Sequence, residues 1–272
     1  MRKKYLFILI SLAFALIING CGKGNKEELK VVFVSGSNEY FSHVSLPRYK
    51  KYLENNYENI QVKLLQASGE LSERDEYSEI KGLEALNDCD VALFYTRRVT
   101  IDGEQLEMVK DYVNAGNPVV ALRTASHGFQ NWLEFDSLVL GCNYHGHHGG
   151  FVEEAIIDSS GNRLPKKEEP DGPIAHIKVN SGYEDHPVLT GIDNFDSYYS
   201  LYESKPLASD VKVLMRGSVR DTITEPAVWT RRYQGGKVCY IDRGGLRDFE
   251  NPTFQKLLAN ALLWPADRKI PK

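Results

Sequence analysis

The stretch Pro118–Leu122 is the feature that most limits how this chain can fold. It is a short apolar run that ends in the polar segment Arg123-Thr124-Ala125-Ser126-His127. A continuous apolar run of this length is typical of a strand that is buried on both faces of a parallel sheet. Ligands of such sheets bind beyond the carboxyl ends of the strands, so segment 123–127 is predicted to lie at a binding site.

The same order of apolar run, polar turn and helical pattern recurs along the first half of the chain. It predicts an α/β fold with a doubly wound, mostly parallel sheet and helices on both faces, as in flavodoxin-like proteins. The predicted strands are 29–36, 60–65, 90–95, 118–122, 151–157, 174–180, 211–215, 227–230 and 237–242. Helices are predicted in the segment after Tyr40, through Ile80–Leu86, and at about 102–115, 132–140 and 251–264.

The N-terminus has the pattern of an export signal. Three basic residues, Arg2-Lys3-Lys4, precede the apolar run Tyr5–Ile18, which is shorter than a membrane-spanning helix needs. Gly20-Cys21 resembles the end of a bacterial lipobox, which predicts a signal peptide over 1–20 and a lipid on Cys21. A simple secreted protein is the alternative. The lipid would anchor the chain to a membrane of the cell envelope, facing the periplasm or exposed on the surface, with a tether over 21–29, a domain over 30–265 and a tail over 266–272.

Charge and cysteine content narrow the classes of partner. The 272 residues carry a net charge of −4, and loss of the three basic residues of segment 1–20 makes the mature chain about −7. A chain this acidic is not expected to bind nucleic acid. Cys89, Cys142 and Cys239 are odd in number and lack the spacing of a metal site, so they are interpreted as small buried residues.

Segment 123–127 holds the first candidate catalytic residues. Arg123 cannot be a nucleophile, but its guanidinium could bind a carboxylate, a phosphate or a developing oxyanion; the alternative is a structural salt bridge. His127 is a candidate general base or acid, or a histidine held for structure. Thr124 and Ser126 either bind substrate or cap the next helix.

A histidine-rich loop, 143–150, follows. Asn143 is a candidate substrate-binding residue, and His145, His147 and His148 have three open interpretations. They could hold a divalent metal such as Zn²⁺ with a further ligand from elsewhere, donate hydrogen bonds to a substrate, or belong to a structural glycine-rich loop.

Other candidates come from neighbouring strand ends. In the common 2-1-3-4-5 strand order, the turns after the first and third strands meet the Arg123 turn. This brings in the substrate-binding candidates Asn38, Tyr40 and Arg97, and Glu39 as a catalytic carboxylate or, alternatively, an acid near a helix start. Further substrate-binding candidates are Tyr202 and Trp229, as pocket-wall or sugar-stacking residues, and Arg243 after a late strand.

These pieces together resemble the ThuA-like (trehalose utilisation) family, which has the class I glutamine amidotransferase-like fold. The resemblance is carried by Val34-Ser35-Gly36 with the following polar turn, by segments 118–127 and 143–149, and by later motifs. Those motifs are His186-Pro187 with Gly191, 226–230, 236–240, Asn251-Pro252, Leu257-Leu258 and 261–264.

The resemblance also carries expectations about chemistry. Amidotransferases have their nucleophilic cysteine where this chain has Arg123, so glutaminase activity is not expected. The histidine usual in the family after a late strand corresponds to Gly245, and Glu39 stands where many members have histidine. The resemblance implies carbohydrate catabolism, with some relatives linked to sugars oxidised to ring ketones.

The expected function is acid/base chemistry on a sugar or a ring-oxidised keto sugar, by hydrolysis, elimination or isomerisation. Arg123 would stabilise negative charge, His127 or Glu39 would move a proton, and the loop His145–His148 would close the pocket or hold a metal. One alternative is a non-catalytic carbohydrate-binding lipoprotein with the same fold. A second is a hydrolase with Ser126 as its nucleophile.

Overall fold

The fold is described from a computed structural model, which covers residues 28–69, 77–148, 155–157, 159, 163–165, 174–220 and 222–271. The α-helices are α1 (Ser42–Asn56), α2 (Gly103–Asn114) and α3 (Pro252–Leu263). The strands of the main sheet are β1 (Leu29–Gly36), β2 (Ile60–Ser68), β3 (Glu79–Ile80), β4 (Val91–Thr96), β5 (Val119–Leu122), β9 (Ala175–Val179), β10 (Phe195–Ser197), β12 (Lys212–Val219), β13 (Ile223–Tyr233) and β14 (Gly236–Ile241). Two small hairpins are formed by β6 (Gly146–His148) with β11 (Leu201–Glu203), and by β7 (Ala155–Ile157) with β8 (Arg163–Pro165).

One half of the main sheet is parallel. Its strands lie in the order β2-β1-β4-β5-β14, which is the predicted 2-1-3-4-5 order. Every residue of β4 and β5 is buried, as their continuous apolar sequence predicts. Helices α1 and α3 pack on one face and α2 on the other, so the predicted α/β fold with helices on both faces is confirmed.

The other half of the sheet is antiparallel, so the prediction of a mostly parallel sheet is supported in part. Strands β13, β12, β9 and β10 extend the sheet beyond β14, and each pairs antiparallel with its neighbour. The β13–β14 connection is a two-residue turn in which Gln234 and Gly235 both have positive φ. That turn geometry matches the twist of an antiparallel hairpin and returns the chain directly beside β13.

Several local predictions change in the structure. Segment 132–140 contains a short π-helix, Phe135–Leu140, and Ile80–Leu86 contains the end of β3 and the start of a 3₁₀ helix, Leu83–Asp88. Of the predicted strand 151–157, only β7 is described. The predicted signal peptide and the lipidation site Cys21 lie outside the described residues. Within the described part of the chain, no helix has both the length and the apolar character needed to cross a membrane.

Candidate functional site

The carboxyl ends of β1, β4 and β5 meet under the β6–β11 hairpin and enclose a cavity of about 420 Å³. This is the edge of a parallel sheet at which ligands bind, and the volume lies within the usual range for small-molecule sites, roughly 300–1,000 Å³. The cavity is lined by Glu39, Tyr40, Arg97, Arg98, His127, Gln130, Tyr144, His147 and Tyr202. Six of these nine residues are among the predicted site residues.

His127 is held in one orientation. Its Nδ1 lies 3.1 Å from Ser126 Oγ, and Ser126 Oγ donates a hydrogen bond to the Arg123 carbonyl oxygen at 3.3 Å. With the serine proton directed to that carbonyl, we assign the tautomer in which Nδ1–H donates to Ser126 and Nε2 carries the lone pair. The ring of Tyr144 stacks on the imidazole, with centroids 4.6 Å apart and planes at 20°.

The surroundings of His127 keep the imidazole neutral. Burial, and after it the positive charges of Arg97, Arg98 and Arg123, together lower the pKa of His127 to about 3. At neutral pH the imidazole is therefore uncharged and its second nitrogen can accept a proton, but the low pKa makes it a weak base, because a general base is most effective when its pKa lies near the working pH.

Tyr144 is positioned by a buried carboxyl group. Asp136 accepts hydrogen bonds from the Tyr144 backbone N–H and from the Cys142 thiol, both at 2.7 Å. Burial raises the pKa of Asp136, and these two hydrogen bonds act in the opposite direction. The end of the π-helix therefore fixes the ring that stacks on His127.

The rim of the cavity is formed by charged residues from the turns that follow β1 and β4. Arg97 forms an ion pair with Glu39. Arg98 has a positive φ of 46°, an uncommon conformation for a residue with a side chain, and its backbone N–H donates to the His127 carbonyl at 3.0 Å. Uncommon backbone conformations of this kind cluster at functional sites, where the surrounding structure imposes them.

Arg123 lies below the floor of the cavity. Its guanidinium is fully buried between the rings of Tyr40 and Tyr202, 4.4 and 4.5 Å from their centroids. It donates to the carbonyl oxygens of Ser200 and Asp242, both at 3.2 Å, and to the hydroxyls of Tyr40 and Ser200. These contacts position the two tyrosines, and they place Arg123 behind the cavity wall, where it does not reach the predicted oxyanion directly.

Arg243 also belongs to this buried layer. It forms a fully buried ion pair with Asp242 and donates to the carbonyl oxygens of Tyr199 and Ser200 at 2.9 and 2.8 Å. The Arg243 guanidinium is completely covered and bonded within the fold, and it is not among the residues that line the cavity.

Other predicted substrate-binding residues lie outside the cavity lining. Trp229 is fully buried in β13, and its indole N–H donates to the Leu140 carbonyl at 2.9 Å, so it is a core residue. Thr124 is buried and donates to the Ser37 hydroxyl. Asn38 is buried in the turn before α1, Ser126 supports His127, and Asn143 is exposed at the base of the hairpin.

The three histidines of the loop do not converge. His147 lines the cavity, whereas His148 lies on the other side of β6 because successive strand residues face opposite ways. His148 lies 3.7 Å from both Glu203 and Glu225, and His145 lies 3.8 Å from Glu203. Among the described residues, no three His, Cys, Asp or Glu side chains form a group that could hold a metal ion. The predicted Zn²⁺ site is therefore not formed by the residues that the structure describes.

Three lining residues were missed from the sequence: Arg98, Gln130 and Tyr144. Arg98 follows Arg97 directly at the end of β4, so its place at a strand end was the available signal. Tyr144 stands between Asn143 and His145 in a loop that had already been singled out. No sequence signal marks Gln130.

The sheet order and the cavity at its carboxyl edge define an α/β protein with the class I glutamine amidotransferase-like fold. The sequence profile of the ThuA family, described as trehalose utilisation, matches residues 30–265, and the chain belongs to this family. The family gives the chain a carbohydrate-related role. Among curated protein sequences, none matches this chain.

Solved structures share the fold at low sequence identity. A ThuA-like protein from Parabacteroides merdae superposes with a TM-score of 0.64 at 15% identity, covering 90% of this chain and 93% of that one. A β-galactosidase from Bacillus circulans sp. alkalophilus superposes with a TM-score of 0.52 at 14% identity, covering 90% of this chain but 32% of the enzyme. At these identities the similarity is one of fold alone.

Proposed function

We propose that this protein removes a proton from a carbon next to the carbonyl group of a ring-oxidised sugar, with His127 as the general base. The observation that carries the proposal is the state of His127: neutral, fixed through Nδ1 by Ser126, and placed in the wall of the cavity. The family's link to trehalose utilisation supports a sugar as the substrate.

The proposed step is a proton transfer. The carbon–hydrogen bond breaks, the proton moves to His127 Nε2, and the electron pair passes to the carbonyl oxygen to give an enolate. Arg97 and Arg98 line the same cavity and would stabilise that negative charge in a partly enclosed site. Collapse of the enolate then leads to elimination of a neighbouring group or to isomerisation.

The other predicted base, Glu39, is less suited to this step. Its carboxylate is already engaged in the ion pair with the Arg97 guanidinium. We assign Glu39 to orienting Arg97 and to accepting hydrogen bonds from sugar hydroxyls.

A serine hydrolase mechanism is disfavoured by the geometry of Ser126. Its side chain is 3% exposed, it is not among the lining residues, and its hydroxyl donates to the Arg123 carbonyl. Ser126 is therefore a positioning residue for His127.

A non-catalytic carbohydrate-binding protein is the second candidate. The observation that favours it is the absence of a side chain at Gly245, where the family usually has histidine: a Cβ there would overlap the ring of Tyr199. The space for a second catalytic imidazole is thus filled by a tyrosine.

Proton NMR in heavy water tests the two candidates. Glucosides with a ring ketone are incubated with the purified full-length protein, and exchange of the proton next to the ketone is followed. We expect His127→Gln to slow exchange by about 10²–10⁴-fold. His176→Gln is the matched control, since His176 is half-buried on β9 and paired with Asp196 outside the cavity. Equal rates in wild type and His127→Gln would remove His127 as the base, and binding without exchange would favour the non-catalytic candidate.

We also propose that the chain works at the cell envelope, held by a lipid on Cys21. The support is the sequence pattern of segment 1–21. Cys21→Ser should move the protein from the membrane fraction to the soluble fraction, and an unchanged distribution would contradict the anchor.

A further inference from the structure

The cavity walls carry more positive than negative charge. Arg97 and Arg98 line the cavity together with one carboxylate, Glu39, and Glu39 is paired with Arg97. In the part of the chain that the structure describes, Arg98 has no carboxylate within ion-pair distance. Among the described residues, the Arg98 guanidinium at the mouth of the cavity therefore has no carboxylate as a counter-charge.

A second positive charge lies directly behind the floor. The buried guanidinium of Arg123 is bonded to carbonyl and hydroxyl oxygens, and its partners among the described residues include no carboxylate. The carboxylate of Asp242 acts on it from a distance, but its own ion pair is with Arg243. Asp248, the other buried carboxyl of this layer, accepts the backbone N–H groups of Gly244 and Gly245.

The buried layer is thus polarised. Its two carboxyl groups lie around Arg243, whereas Arg123 is separated from the cavity only by the rings of Tyr40 and Tyr202. A charge removed from water is screened weakly, so its field extends through the ring layer into the cavity. Tyr40 directs this positive field towards a ligand. Its hydroxyl accepts a hydrogen bond from Arg123, and its own proton remains available for donation to the ligand.

We infer that the substrate of this cavity is a sugar that carries a fixed negative charge, a carboxylate or a phosphate, bound by Arg98 with help from Tyr40. This inference rests on the proposed function for its sugar and names the class of that sugar. The enolate of the proposed reaction is negative only during turnover, whereas the excess positive charge of the cavity is permanent and acts on the ground state. A guanidinium fork also matches the two oxygens of a carboxylate or phosphate.

Isothermal titration calorimetry on the purified full-length protein tests the inference with three unreactive probes: glucose, glucuronate and glucose 6-phosphate. At low ionic strength, one or both of the charged sugars should bind at least about tenfold more tightly than glucose. Tighter binding of glucuronate assigns a sugar acid, and tighter binding of glucose 6-phosphate assigns a sugar phosphate. The affinity for the charged probe should fall as salt is added, while that for glucose should not change.

Three variants locate the charge. Arg98→Gln should abolish the preference for the charged sugar, and Arg98→Lys should keep a part of it because a point charge remains. Arg232→Gln is the matched control: Arg232 is exposed and bonded within its own hairpin to the Gly235 carbonyl, so the preference should persist. Circular dichroism checks that each variant is folded, and the salt dependence of the wild type gives an answer that needs no variant.

Several outcomes would overturn the inference. Equal affinity for all three probes, no binding of any of them, or an undiminished preference in Arg98→Gln would each do so. These results are separable from a failure of the proposed function, because the probes undergo no reaction and His127→Gln should leave the charge preference in place. A preference for charged sugars together with no proton exchange would keep the anion site and reject the catalytic proposal.

Discussion

The polar residues at the carboxyl edge of the sheet form two layers. The side chains of the lower layer bond within the protein, whereas those of the upper layer face the cavity. In the lower layer, Arg123, Asp242 and Arg243 are fully buried, and their side chains bond mainly to one another's backbone and to the segment Tyr199–Ser200. In the upper layer, Glu39, Arg97, Arg98 and His127 keep part of their surface in the cavity.

This difference separates structure from chemistry within one site. Residues of the lower layer have partners for most of their polar groups, so changing them should affect stability first. Residues of the upper layer have capacity left for a ligand, so changing them should affect binding or turnover with little loss of stability. A variant that behaves the other way would show that the layers have been divided wrongly.

Asp242→Ala should give the largest effect on stability. It leaves the Arg243 guanidinium buried without its counter-charge and removes the acceptor of the Tyr202 backbone N–H. Breaking a buried ion pair by removing one partner costs about 3–5 kcal/mol. Urea denaturation measures the free energy of unfolding, with Asp88→Ala as control, since Asp88 forms an exposed ion pair with Lys30 and its loss should change stability little. A loss below about 1 kcal/mol for Asp242→Ala would remove the lower layer's structural role.

Much of the upper layer could be predicted from the sequence, because its residues directly follow apolar runs. Glu39, Arg97 and His127 lie at the ends of β1, β4 and β5, where sequence order alone fixes the edge of the sheet that they occupy. The lower layer could not be predicted in the same way. The turn that contains Tyr40 was predicted to meet the Arg123 turn, but the sequence contains no signal that the rings of Tyr40 and Tyr202 cover the Arg123 guanidinium.

Trp229 shows a second limit of the sequence. An aromatic residue at a strand end is consistent with a sugar-stacking role, but β13 is buried on both faces over Pro226–Thr230. The antiparallel half of the sheet was not predicted, so neither was the cover that it gives to this strand. The orientation of the loop histidines was not predicted for a similar reason. The pairing of β6 with β11 determines which histidine faces the cavity, and this pairing was not predicted either.

Gly245→Ala should give an intermediate effect and tests how tightly the lower layer is packed. A Cβ at this position would overlap the ring of Tyr199, which itself lies near Arg123, with 5.6 Å between the guanidinium carbon and the ring centroid. Overpacking of this kind typically costs about 1–3 kcal/mol. The double variant Gly245→Ala/Tyr199→Leu should recover part of the loss, since the ring no longer fills the space. Additive losses in a double-mutant cycle would show that Gly245 and Tyr199 are not in competition.

Protonation of His127 should have the smallest effect on stability. It also tests where the boundary between the two layers lies. Its pKa of about 3 in the folded chain lies below the value of about 6.5 expected when unfolded. As the pH falls below 6.5 the unfolded chain takes up this proton first, so the contribution of the neutral imidazole to stability is complete above 6.5 and is lost progressively towards 3. The loss should be modest, because the ring faces a cavity that water enters. Urea denaturation from pH 7 to pH 4 should show a shallower decline for His127→Asn than for wild type, with His176→Asn matching wild type. Parallel declines in all three proteins would place the titration of His127 in the ordinary range. His127, the proposed base, would then be protonated over part of the pH range in which it is proposed to act.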